Sequence, residues 1–231
     1  MGIKKETKKS ILDQRRKLIA AQNTRSPITE QYRTIRTNIQ FTSFDSEIKT
    51  IMVTSTGPGE GKSTTAANLA VVFSQQGKNV LLVDADLRKP TVHYTFNLTN
   101  TFGLTSVLTR QLSIEEAVVE SNSSSLCLLS SGPIPPNPAE LMGSSSMDLF
   151  LKNAKENFDL IIFDTPPVLA VTDAQILSNK CDGTIVVVSS GKTIREEASK
   201  AKDLLMAAKA KILGVVLNNK KFKSTNYYYG N

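Results

Sequence analysis

The sequence predicts an α/β fold in which a mostly parallel central sheet carries helices on both faces. Three observations predict it. Continuous Val/Ile/Leu-rich runs of strand length recur at 51–55, 80–83, 126–129, 160–163, 184–188 and 212–217. Strands buried on both faces read as unbroken apolar runs rather than as alternating ones, and that is the habit of parallel sheets. Helix-length segments separate these runs, and such alternation calls for crossover connections. A glycine-rich turn joins the first run to the helix after it.

Taken in order, residues 1–27 are basic and polar and end at Pro27, with Arg15, Arg16 and Lys17 the densest cluster. They read as a mobile or loosely docked arm. A helix follows from Thr29, where Tyr32, Ile35 and Ile39 recur at helical spacing. Ser26 or Thr29 caps it, and it ends near Phe44 and Asp45. The run at 51–55 is the first strand, and 62–76 reads as a helix closed by Gly77. The run at 80–83 is the second strand. A short helix near 114–119 precedes the strand at 126–129. The segment 132–138 (Gly-Pro-Ile-Pro-Pro-Asn-Pro) is a surface loop. Residues 146–157 read as helix, 160–163 as strand, 173–177 as helix, 184–188 as strand, 195–208 as helix and 212–217 as the last strand. The domains are therefore an arm at 1–28, a body at 29–218 and a polar tail at 219–231. Ligands of such sheets sit at the carboxyl ends of the strands.

Composition narrows the chemistry. The chain has 231 residues with 28 basic and 21 acidic side chains, a formal net charge of +7. Residues 1–50 hold 11 basic and 5 acidic side chains, 51–189 hold 8 and 13, and 190–231 hold 9 and 3. A mildly acidic middle between two basic ends is not the even basicity of a nucleic-acid coat, so no nucleic-acid partner is expected. One His and two Cys supply no zinc site at usual spacings and no disulfide scaffold. The start is polar and the longest apolar runs are strand-length, so neither a secretory signal nor a membrane span is expected.

The strongest local signal runs Thr56-Gly57-Pro58-Gly59-Glu60-Gly61-Lys62-Ser63-Thr64, behind a strand and opening a helix. That is the setting of a P-loop. Glycines let backbone N–H groups converge on one point, and the helix N-terminus adds positive potential there. Lys62 then reaches the β- and γ-phosphates of ATP, Ser63 ligates Mg²⁺ and Thr64 supports the α-phosphate. One departure stands out: Thr56 occupies the place of the first glycine, and the glycine comes one residue later at Gly57. Carboxylates for the metal come from two other strand ends, Asp84 and Asp86 after 80–83, and Asp164 after 160–163. Continued extended geometry would aim Asp84 and Asp86 the same way. The competing reading of each aspartate is a cap on the following turn. Either Asp84 or Asp86 suits a proton acceptor in phosphoryl transfer, with Asp164 at the metal.

With these residues in place the chain resembles the bacterial tyrosine kinases, the autokinases of capsular and exopolysaccharide synthesis. The likeness rests on PGEGKST at 58–64, DADLRKP at 84–90, the loop at 132–141, DTPP at 164–167 and a terminal tyrosine cluster. It covers about Thr29 to the C-terminus. It implies a P-loop NTPase fold and an ATP- and Mg²⁺-dependent protein-tyrosine kinase. Lys62, Asp84 and Asp86 would be catalytic, Ser63, Asp84 and Asp164 would face the metal, and Gly57, Gly59, Glu60, Gly61, Lys62, Ser63, Thr64 and Asn218 would face the nucleotide. The phosphoacceptors would be Tyr227, Tyr228 and Tyr229, three of only five tyrosines.

The resemblance also implies partners. Glu30, Arg33 and Arg36 match an ExxRxxR helix used for contact between copies in a ring, and their alternative is an intrahelical salt-bridge ladder. Asn218 matches a position that reads adenine, or is simply an asparagine in a turn. A transmembrane adaptor chain would hold the kinase at the inner face of the membrane, a cytoplasmic but peripheral location. A protein-tyrosine phosphatase and other protein substrates complete the set. The rival class is the partitioning and division-site ATPases, which carry a second P-loop lysine where this chain has Gly57 and have no use for a tyrosine tail.

Overall fold

Residues 18–42, 47–121 and 125–220 are described by the structure, a computed structural model. The chain runs α1 (Ile19–Gln22), α2 (Pro27–Phe41), β1 (Thr50–Ser55), α3 (Lys62–Ser74), β2 (Val80–Asp84), α4 (Val92–Phe96), α5 (Leu104–Leu108), α6 (Ile114–Ala117), β3 (Val119–Glu120), β4 (Leu126–Leu129), α7 (Pro138–Gly143), α8 (Ser145–Asn157), β5 (Leu160–Asp164), α9 (Asp173–Lys180), β6 (Gly183–Ser189), α10 (Arg195–Ala207) and β7 (Ile212–Asn218). The strands form one sheet in the order β3-β4-β2-β5-β1-β6-β7. Every pairing is parallel except β3 with β4. The chain leaves β1 toward one edge and, after β5, crosses to the other. The crevice at the carboxyl end of β1 is thus a switch point, where α/β sheets bind ligands.

The apolar runs behave as their composition requires. Residues of β1, β2 and β5 are buried throughout and feed two cores, one on each face. Ile51, Val53, Leu82 and Ile162 meet Leu69, Phe73 and Ile39 on the face covered by α2 and α3. Met52, Leu81, Val83 and Phe163 meet Phe150, Leu177 and Leu205 on the other. Helix α3 is buried on nearly every side, which its lack of a polar face predicts.

Three expectations are corrected. The arm does not extend to residue 28. Ala20 is fully buried, its N–H donates to Asn68 Oδ1 at 3.0 Å, and its carbonyl accepts from Gln75 Nε2 at 3.0 Å. Residues 18–28 are therefore part of the body. Helix α2 starts at Pro27, with the Ser26 hydroxyl accepting the Ile28 N–H at 3.2 Å, and proline at the first helical position needs no partner for its missing N–H. Its expected end at 44–45 lies outside the described residues, as do 1–17 of the arm and 221–231 of the tail. Finally, helices do not cover the whole sheet: Val215 and Leu217 of edge strand β7 are 63% and 51% exposed. The sequence reading also passed over β3 and the short helices α1, α4, α5 and α7.

Candidate active site

The loop between β1 and α3 takes the shape its glycines allow. Gly59 and Gly61 have φ of +74° and +98°, a region that favours glycine. A Cβ at Gly61 would lie 2.0 Å from Asn218 Nδ2, so both backbone and space demand glycine there. Helix α3 starts at Lys62, and its first N–H groups have no partner within the helix. They face the crevice as anion donors.

Thr56, the departure from the usual pattern, has a physical reason. Its buried hydroxyl donates to the Glu60 carboxylate, at 2.7 Å from Oε1 and 2.8 Å from Oε2. The Gly57 N–H donates to Glu60 Oε2 at 2.9 Å. Glu60 turns its carboxylate into its own loop, where the residue is 2% exposed.

Register assembles the acidic side of the site. Parallel pairing sets Asp84 directly beside Asp164. Lys62 reaches across from α3, with Nζ 2.8 Å from Asp86 Oδ2 and 3.1 Å from Asp164 Oδ1. Nζ also lies 3.2 Å from Ser63 Oγ. Burial works against the Lys62 charge, but Asp164, Asp86 and Asp84 overcome it and hold the ammonium above the usual lysine value.

Asp84 and Asp86 do not point the same way, because the strand ends at Asp84. Asp84 Oδ2 accepts the N–H groups of Thr91 and Val92, both at 2.9 Å, and Oδ1 accepts that of Asp86 at 3.3 Å. Burial and the Asp164 charge push its carboxyl up to about 7, against those N–H groups and Lys62. Asp84 is thus both a turn cap and a member of the charged cluster. Asp86 uses Oδ1 for the Lys89 N–H at 3.0 Å and turns Oδ2 to Lys62.

The residues suit a phosphate-bound Mg²⁺. Asp164 Oδ2 is buried and has no hydrogen-bond partner, an acceptor that a cation would satisfy. Among the described residues no group of three His, Cys, Asp or Glu is arranged to enclose a metal alone. A metal held here would need further ligands from phosphate and water, which is the habit of Mg²⁺.

The other expected residues are placed as follows. Ser63 is buried and Thr64 half-buried at the start of α3. Asn218 donates from Nδ2 to the Glu60 carbonyl at 2.9 Å and accepts the Asn219 N–H at 2.9 Å. Its Nδ2 thus ties the end of β7 to the phosphate loop. Glu30 pairs with Arg33 along the exposed face of α2. Arg36 turns inward, donating to the Val72 carbonyl at 2.6 Å. Tyr227, Tyr228 and Tyr229 lie outside the described residues. Three participants were missed. Arg88 forks onto buried Asp173, at 2.9 and 3.0 Å, and ties the loop carrying Asp86 to α9. Lys192 donates to the Pro58 carbonyl at 2.6 Å, and Thr193 donates to Glu60. Arg88 stood within the motif at 84–90, whereas no local pattern marks Lys192 or Thr193.

A family model described as an AAA domain matches residues 48–201. Tyrosine-protein kinase YwqD of Bacillus subtilis is 59% identical over 217 residues, covering 93% of this chain and 92% of that protein. The putative tyrosine-protein kinase CapB of Staphylococcus aureus is 39% identical over 206 residues, 89% of this chain and 90% of that one. Among solved structures, the chimerical protein CapA2B2 superposes with a TM-score of 0.85 at 45% identity, over 88% of this chain and 89% of that one.

Proposed function

This chain belongs to the bacterial tyrosine-protein kinase family, and from that membership we propose how its own residues divide the work. It is an ATP-dependent protein-tyrosine autokinase of capsular and exopolysaccharide synthesis. The observation that carries the division of roles is the placement of Lys62 between Asp86 and Asp164 at the mouth of the P-loop.

ATP lies with its phosphates against the N-terminus of α3, on the N–H groups that the glycine-rich turn and the first helical turn present. Lys62 exchanges its aspartates for the β- and γ-phosphates. Ser63, Asp84 and Asp164 would hold Mg²⁺, directly or through water, and the bound metal would supply neutralisation of the phosphate charge. Release of Lys62 frees Asp86 Oδ2, which accepts the proton of the incoming tyrosine hydroxyl. The tyrosine oxygen bonds to the γ-phosphorus, the bond to the β-phosphate oxygen breaks, and ADP leaves. Asp84, anchored by three backbone N–H groups, keeps the loop that presents Asp86 in place.

The acceptors are Tyr227, Tyr228 and Tyr229 of a neighbouring copy. Lysines at 220, 221 and 223 lead into them, and a basic lead-in suits an acidic site. Glu30, exposed on α2, and the half-buried Arg33 paired with it are the part of the ExxRxxR face open to another copy. No helix among the described residues is long and apolar enough to cross a membrane. Attachment at the inner membrane face is accordingly assigned to an adaptor chain, with the basic residues of 1–17 near it or near anionic lipid. A phosphatase that resets the tyrosines and further protein substrates belong to the same reading. The partition-type ATPase alternative has no support at Gly57, where its second lysine would stand.

The test is direct. The full chain, with an adaptor cytoplasmic segment, is incubated with ATP and Mg²⁺ and its phosphosites are mapped by mass spectrometry. Phosphotyrosine at 227–229 that disappears in Lys62→Met supports the assignment. Phosphate release with unmodified tyrosines overturns it.

A further inference from the structure

Glu60 is an anion inside a loop built to attract anions. A buried carboxylate is tolerated only when donors surround it, and here they come from two directions. From its own loop come the Thr56 hydroxyl and the Gly57 N–H. From the connection between β6 and α10, 133 residues further along the chain, comes the Thr193 hydroxyl.

The direction of that last bond is fixed by the rest of the connection. Thr193 Oγ1 accepts the Ser189 N–H at 2.9 Å. A hydroxyl has one proton, and carboxylate oxygens only accept, so the Thr193 proton points to Glu60. The backbone holds Thr193 there, its own N–H donating to the Ser189 carbonyl at 3.0 Å. Beside it, Lys192 Nζ donates to the Pro58 carbonyl, 3.2 Å from where a Gly59 side chain would begin. The connection thus gives the loop one hydrogen bond at Glu60 and another at the Pro58 carbonyl.

We propose that Thr193 and Lys192 are positioning residues of the nucleotide site, acting through Glu60 and Pro58 to hold the curvature of the phosphate loop. Neither touches the reacting groups. Glu60 keeps the Gly57 N–H turned inward, so the site's anion donors are those further along the glycine-rich turn and at the start of α3. Without the Thr193 hydroxyl the carboxylate is one donor short, and the loop samples shapes in which those donors no longer converge. The inference deepens the kinase reading and rests on it, since the ligand is the Mg²⁺–nucleotide of that site.

The test measures MgADP affinity of the full chain by fluorescence titration, together with kcat and KM for ATP. Thr193→Val is expected to weaken MgADP about tenfold, the size of a lost hydrogen bond to a charged group. KM for ATP rises in step, with kcat within about twofold. Thr193→Ser, which keeps the hydroxyl, restores both. Glu60→Gln combined with Thr193→Val loses little beyond the larger single effect, because the two residues act through one contact. If Glu60→Gln does not fold, the Val and Ser pair at 193 decides alone. Affinity of Thr193→Val within twofold of the parent, or failure of Ser to restore it, overturns the proposal. If instead the unsubstituted chain binds no MgADP, or Lys62→Met binds it equally well, the nucleotide-site reading falls and takes the brace with it.

Discussion

Asp84→Asn is expected to stabilise the nucleotide-free protein at pH 8 and not at pH 5. In the native fold burial and Asp164 push the Asp84 carboxyl up to about 7. In the unfolded chain it returns to about 3.9. Between those values the native state holds a proton that the unfolded state has lost. The Asp84 contribution to stability is therefore fully present below pH ~4 and is lost as pH rises through about 7. By pH 8 ionising Asp84 in the fold has cost about 4 kcal/mol more than ionising it in the unfolded chain. Asparagine removes that cost. Its oxygen can still accept from Thr91 and Val92, but its NH₂ then faces the Asp86 N–H, a mismatch of about 2 kcal/mol. The net gain at pH 8 is about 2 kcal/mol, or a rise in Tm of about 4–8 °C for a chain of this size. At pH 5 the native carboxyl is protonated while the unfolded one is already largely ionised, so about 1.5 kcal/mol of the ionisation cost is present; the mismatch slightly outweighs it, and the variant is weaker by about 0.5 kcal/mol. Guanidinium unfolding of both proteins at the two pH values, with EDTA and without nucleotide, measures the difference. A stability difference that does not swing toward the variant by at least about 1 kcal/mol between pH 5 and pH 8 refutes the reasoning.

Other consequences can be checked with similar means. Gly61→Ala should abolish MgADP binding in a titration, and Asn218→Ala should not rescue it, because removing the 2.0 Å clash leaves φ at +98°. Burial pushes the Cys181 thiol up to about 12, so iodoacetamide at pH 8 should leave Cys181 unmodified in the native protein, and mass spectrometry should find it alkylated only under unfolding conditions. Burial alone would raise Asp182, yet the Thr50 hydroxyl, Lys155 and the Lys49 N–H hold it below the usual range. Its stability contribution is present above the unfolded aspartate value and is lost as pH falls through the folded one. Asp182→Asn should cost about 1 kcal/mol at pH 7, after discounting for partial exposure, and little near pH 3 by urea unfolding. Ser26→Ala should cost about 1 kcal/mol by removing the cap on Ile28 N–H, read in the same urea experiment.

What could be read from the sequence follows from the range over which each cause acts. Continuous runs such as 80–83 and 160–163 announce buried strands within a few residues, and Gly59 and Gly61 announce a loop needing positive φ. Helices of four to six residues, α1, α4, α5, α6 and α7, are too short to display a period; α6 left a local mark in the capping box of Ser113 and Glu116, and α7 in Pro138 at its first position. The spacing of Asp84 and Asp86 was legible but its geometry was not. Extended chain would have aligned them, whereas the Ala85 N–H crosses to the Asp164 carbonyl at 2.8 Å and the strand gives way to a turn. Glu60 stood in plain sight within the phosphate motif, but its work depends on Thr193, and nothing at that distance in sequence marks a partner.

The same distinction explains the charge pattern. The acidic middle of the chain has 13 acidic residues, yet Asp84, Asp86, Asp164, Asp173 and Glu60 are the ones withdrawn from solvent, at 4% exposure or less. A fold selected for stability alone would not bury five carboxylates, since each must find donors or a cation. Arg88 serves Asp173, hydroxyls and an N–H serve Glu60, and backbone N–H groups serve Asp84. Lys62 is left to serve both Asp86 and Asp164, and still leaves Asp164 Oδ2 without a partner. The deficit is therefore local to the one carboxylate cluster that faces the phosphate loop. A bound Mg²⁺ would supply positive charge to these aspartates where the phosphates compete for Lys62. Because Lys62 already pairs with Asp86 and Asp164, affinity for nucleotide without Mg²⁺ should be poor for a reason internal to the protein.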